Sequence, residues 1–154
     1  MLILSTLPHY LSVLPLLPDY YYVTDDSGAG ISKSATASST VTYEYVNTIL
    51  IASTLSVFYH LSNESLLVAI PDYIAAFIWL LYDLYFGWYF VPQHFKKIVL
   101  LNSLVVALNW SITKSNPNYE TLHSVWHIVS AAKCYYVSLL VSHMSHLKIQ
   151  ITDK

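Results

Sequence analysis

The stretch "LVAIPDYIAAFIWLLYDLYFGWYFV", residues 67–91, decides how the rest of the chain is read. A bilayer core of ~30 Å needs roughly 20 apolar residues in a helix, and this stretch supplies them. Pro71 and Asp72 stand near its start. Tyr85, Trp88 and Tyr89 stand near its end, where aromatic rings collect at a membrane–water boundary.

The whole composition points the same way. Of 154 residues, 55% are hydrophobic and only 10% charged, with mean hydropathy +0.48. A soluble domain usually carries about 25% charged residues, so this chain is too poor in charge to solvate an ordinary globular surface. The seven basic residues are all lysines and the formal charge is −2. No basic field exists for nucleic acid, and that partner is set aside; membrane lipids are the expected surroundings. The one cysteine, Cys134, excludes an internal disulfide and reads as a small side chain in an apolar run.

Working outward, three more segments look like spans: 44–62, 97–113 and 120–142. The links between them are short, which implies antiparallel neighbours in a helical bundle covering residues 43–146. The expected fold is therefore an all-α, polytopic transmembrane bundle with four clear spans. Residues 1–23 are apolar but carry Pro8, Pro15 and Pro18, and read as a distorted fifth span or an interfacial segment. They lack the basic start of a secretory signal. Residues 24–42, rich in Ser, Thr, Gly and Ala, read as a flexible linker, and 147–154 as a polar tail.

Alternating spans set sidedness. Lys96, Lys97, Lys148 and Lys154 fall on one side. Lys114 falls on the other, with Glu64 and Asp72 near its edge. Lysine excess marks the cytoplasm, so the second side is expected to be lumenal or extracellular. The sequon Asn63-Glu64-Ser65 in a loop of that side fits, as a weak motif.

That topology delivers chemistry to one place. His60 ends one span, Asp72 begins the next, and His123 and His127 begin the last, all at one depth on one side. Ser56 precedes His60 by four residues, and His123 precedes His127 by four, so each pair shares a helical face. Ionisable groups inside spans are costly and mark function. Three imidazoles with a carboxylate suit zinc, which in catalytic sites takes three protein ligands and a water. Bound zinc brings the pKa of that water towards ~7; a nearby carboxylate can take its proton. Taken singly, each residue is as well explained by headgroup contact or helix–helix hydrogen bonding. That bland account is given to His9, His94, His143 and His146; convergence argues against it for the set.

At these residues the chain resembles a family. "SVFYH" (56–60), Asp72, and "LHSVWHIVSA" (122–131) look like the CREST superfamily of membrane hydrolases, which includes alkaline ceramidases, progestin and adipoQ receptors, Per-type proteins and myomaker-like proteins. The family pattern is Ser-x3-His on the second helix, Asp on the third and His-x3-His on the seventh. "HSVWH" with "NYETL" before it looks most like the myomaker and GPI-lipase branch. "YEYVNTI" (43–49) is similar to a ceramidase segment whose Glu binds calcium, here Glu44; the acidic motif that accompanies it there is not recognisable, and a helix-starting Glu is the simpler account.

The resemblance, over residues 43–142, implies zinc on His60, His123 and His127. It implies Asp72 and Ser56 beside the metal-bound water, and hydrolysis of an amide or ester bond in a lipid entering from the bilayer. The chain departs from the family in length. The family has seven spans, and only 51 positions separate Asp72 from His123 here. Loss of two spans preserves sidedness but not the wall of a lipid tunnel. Two functions follow: a zinc-dependent lipid amidase or esterase, or a non-catalytic membrane protein, remodelling or receptor-like, that keeps zinc as a structural staple. A homo- or hetero-oligomer could complete the bundle in either case.

Overall fold

A computed structural model describes residues 2–17, 33–89, 91–112 and 114–152, with side chains described at 3–17, 43–89, 91–112 and 114–143. Every regular element among them is helical. Helices α1 (Leu2–Thr6) and α2 (Pro8–Leu11) lead to a 3-10 turn at Leu14–Leu16. Then come α3 (Lys33–Leu61), α4 (Leu66–Tyr89), a 3-10 turn at Pro92–His94, α5 (Phe95–Ser111) and α6 (Tyr119–Thr152).

The all-helical expectation holds, with a correction in the spans. Among the described residues two helical stretches, not four, are long and apolar enough to cross a membrane: Leu66–Tyr89 and Tyr119–His143. With 17 residues, α5 reaches only ~25 Å at the α-helical rise. In α3, Glu44, Asn47, Thr48, Ser53, Thr54 and Ser56 are interleaved with the apolar residues.

Residues 2–17 form short helical pieces rather than one continuous helix. Their prolines occupy first-turn positions, Pro8 in α2 and Pro15 in the 3-10 turn, where the missing N–H costs least. The chain therefore breaks into short pieces that pack on α3 and α6, with Val13 and Leu16 in the core. Of the expected linker, residues 24–32 lie outside the described residues, as do 18–23 before them. Residues 33–42 are helical: Ser and Ala extend α3 at little cost once its apolar part is anchored. Glu44 consequently lies inside a helix rather than at its start, where its carboxylate accepts from Tyr82 Oη at 3.2 Å. The expected polar tail is likewise helical as far as Thr152.

Helix packing follows the 3.6 period. On α3 the buried face runs Tyr45, Ile49, Ala52, Tyr59; on α4, Ala75, Trp79, Asp83, Phe86; on α5, Ile98, Asn102, Val105. Between α4 and α5 the approach is close at Gly87, where an added Cβ would come within 3.0 Å of Ile98 Cδ1 and 3.2 Å of Phe95. Trp126 Nε1 ties α6 to α5 by donating to the Val105 carbonyl at 2.9 Å.

Polarity is distributed unusually. Large apolar side chains such as Leu67, Ile70, Phe77, Leu100 and Trp110 are exposed, while His60, Asp83, Asn102, His127 and Lys133 are buried. Water-facing folds do the reverse.

Candidate metal centre and the cavity beside it

Helix α3 ends just past His60. The Glu64 amide donates back to the Tyr59 carbonyl at 2.9 Å, the long bond of a Schellman ending. Asn63 and Glu64 both take positive φ, 55° and 58°. Asn tolerates the left-handed region; Glu does so less readily. The turn reverses the chain into α4 and brings the Glu64 carboxylate back over His60.

On α6 the four-residue spacing places His123 and His127 on one face, towards the end of α3. One ring nitrogen from each of His60, His123 and His127 lies within 4.8 Å of the others, and all three residues are buried. His60 Nε2 and His127 Nε2 are 3.0 Å apart. Two nitrogens on a tetrahedral zinc, at the usual 2.0–2.1 Å, stand about 3.3 Å apart. The three rings are therefore close enough together to hold a metal ion. The three histidines of the sequence reading are thus brought together.

Glu64 forms the outer layer. Its Oε1 lies 3.4 Å from His60 Nδ1, an electrostatic contact too long for a hydrogen bond, and accepts from Tyr119 Oη at 2.9 Å. Its Oε2 pairs with Lys114 Nζ at 2.6 Å. Burial alone would raise the Glu64 carboxyl, but the bonds from Lys114 and Tyr119 outweigh it and hold the group below the usual carboxylate range. A charged carboxylate behind a ligating imidazole orients the ring and raises its basicity. The spacing His60-x3-Glu64 was readable as a helical neighbour pair; that a loop residue would turn back onto the ring was not.

Beside the histidines is a cavity of ≈ 250 Å³. Ser56, Asp72, His123 and His127 line it, and His60 does not. Asp72 is half-buried and Ser56 partly buried, and neither makes a hydrogen bond or ion pair among the described residues. Both are free to meet a ligand in the cavity, while no contact ties them to the three-histidine group.

His9 corrects its bland reading. It is buried, lines the same cavity, and packs edge-on against His127 and Trp79 with centroids at 5.5 and 5.4 Å. Its Nδ1 donates to the Thr6 carbonyl at 3.0 Å, which leaves Nε2 as an acceptor. Among the others, His94 Nδ1 lies 3.1 Å from Tyr136 Oη, and His143 is exposed.

The cavity also reaches a second polar group that the sequence reading missed. Lys133 on α6 donates to Asp83 on α4 and, at 3.1 Å, to Asn102 Oδ1 on α5. The other Asp83 oxygen accepts from Tyr45 Oη of α3 at 2.5 Å. Lys133 also stands 5.0 Å above the Trp79 ring. The available signal was an ionisable residue in the middle of each apolar helix, Asp83 in "LLYDLYF" and Lys133 in "SAAKCYY".

Comparison with protein-family models, curated proteins and solved structures returns no match.

Proposed function

We propose that this chain is a multi-pass membrane protein that binds zinc through His60, His123 and His127, with the site facing the lumen or the exterior, and that it hydrolyses an amide or ester bond in a lipid. The observation that carries the reading is the buried three-histidine group bordering a cavity lined by Ser56 and Asp72. The exposed apolar flanks of α4 and α5 around a polar interior support lipid as the surrounding medium.

Zinc, when bound, supplies a Lewis acid and an acidified water. The rest falls to the chain. Asp72, without a partner of its own, accepts a proton at its carboxylate, and Ser56 donates from its hydroxyl to a carbonyl oxygen. The volume lies below the ~300–1,000 Å³ of sites that enclose a drug-sized ligand. It suits the polar part of a lipid, with the tails left outside.

A second reading, zinc as a staple, is favoured by ligand placement: one histidine from α3 and two from α6 would tie those helices without chemistry. Asp72→Asn separates the two. For a hydrolase, the variant keeps its zinc and fold and loses about 10²–10⁴-fold in lipid amidase or esterase activity. For a staple, the parent has no activity to lose. Identical ceramide, lysophospholipid and GPI-lipid pools in cells holding equal zinc-loaded parent and variant would end the hydrolase proposal.

A further inference from the structure

The cavity is lined by Ser56, Asp72, His123 and His127 and also, further along α6 and on α5, by Ser130, Lys133 and Asn102. Lys133 lies six positions beyond His127 along α6, a rise of ~9 Å. An occupant that meets the histidines at one end therefore meets amide, hydroxyl and ammonium at the other. A plain hydrocarbon end would fit poorly there.

Asn102 shows what the inner end lacks. The residue is only 4% exposed. Its Oδ1 accepts from Lys133 Nζ, and because an ammonium can only donate, the amide orientation is fixed. Nδ2 must then face away from Lys133, and it has no hydrogen-bond partner. Buried amide donors are seldom left unpaired without a ligand or water to receive them. Ser130, a buried residue that lines the same cavity, also makes no hydrogen bond among the described residues.

Charge at this end is balanced. Asp83 neutralises Lys133 and is itself held by Tyr45. An anionic ligand would have to compete with Asp83 for the ammonium. A neutral oxygen needs only the free amide N–H and the serine hydroxyl.

We propose that Asn102 and Ser130 form a subsite for an uncharged hydrogen-bond acceptor, a hydroxyl or carbonyl oxygen, on a ligand whose other polar end lies at the histidines. The subsite deepens the proposed function, on which it rests for the identity of the reacting end. It makes the preferred ligand an amphiphile with two separated polar groups rather than a simple acyl chain.

The test uses the full chain in detergent with two matched probes, octanamide and its ω-hydroxylated counterpart. Binding is read from the fluorescence of Trp79 and Trp126, which line the cavity. Zinc content is measured separately, and both probes are titrated against zinc-loaded and zinc-stripped protein. The ω-hydroxyl should strengthen binding about tenfold, the worth of one well-made hydrogen bond, with or without metal. Asn102→Leu should erase that preference, bringing the ratio of the two affinities to about one; Ser130→Ala should reduce it part-way and serves if Asn102→Leu fails to fold. Equal binding of the two probes, or binding of neither, overturns the subsite whatever the zinc content. Absence of zinc with the ω-hydroxyl preference intact overturns the metal reading and leaves the subsite standing.

Discussion

Replacing Lys133 by Met should be among the most damaging single changes in this protein. The ammonium is 5% exposed and its partner carboxylate fully buried. Methionine fills much the same volume but removes the only cation bonded to Asp83 among the described residues. Asp83 would keep the Tyr45 hydroxyl and lose its counter-charge. Stranding one member of a buried pair costs about 3–5 kcal/mol. An ordinary hydrogen bond between membrane helices averages only about 0.6 kcal/mol, so the magnitude itself tells an ion pair from neutral polar glue. The double variant Lys133→Met with Asp83→Asn leaves no buried charge and keeps an acceptor for Tyr45. It should recover at least half of the loss, which gives a favourable coupling in a double-mutant cycle. Unfolding of detergent-solubilised protein, followed by tryptophan fluorescence during denaturant titration, supplies the four free energies. A loss below about 1 kcal/mol for Lys133→Met, or a double variant no better than the single, would refute the paired buried charges.

Purified protein should hold one zinc, and His127→Ala, which removes one of the three ligands, should lose it; elemental analysis after dialysis is the check. Bound zinc should be released as pH falls, because protons compete for the imidazole nitrogens; a zinc-loss curve flat into the acid range would speak against histidine ligation. Glu64→Gln removes the charge behind His60 and the ionic partner of Lys114. It should weaken zinc affinity about 10–100-fold with the fold intact, and a competition assay showing no change would reduce Glu64 to a loop contact. With Cys134 replaced by Ser, a cysteine at the exposed Asn63 should react with an impermeant thiol reagent from the lumen or exterior, and one beside Lys96 should not; the reverse pattern would invert the topology.

The residue pattern carried the helical class and the three-histidine group. Low charge and long apolar runs leave few alternatives to packed helices, and a four-residue spacing places His123 and His127 on one face whatever surrounds them. Antiparallel alternation then brings His60 and Asp72 to the same end. These inferences need only local periodicity and the antiparallel order of successive helices.

What the sequence could not supply depends on rotational phase and chain path. Whether Asp83 faces Lys133 turns on how α4 and α6 are rotated about their axes, which the packing of Trp79, Phe86 and Val137 decides. His9 reaches the cavity because Val13 and Leu16 anchor a broken, proline-marked segment in the core, and no short-range rule specifies that docking. Glu64 meets His60 because two consecutive residues adopt left-handed backbone, a conformation Glu seldom takes unless its surroundings impose it. The donor left free on Asn102 exists only because a lysine from another helix claims the opposite side of its amide. Spacing along one helix is fixed by covalent geometry, whereas contacts between helices are settled by the packing of the whole bundle, so the first is legible residue by residue and the second appears only with the tertiary structure.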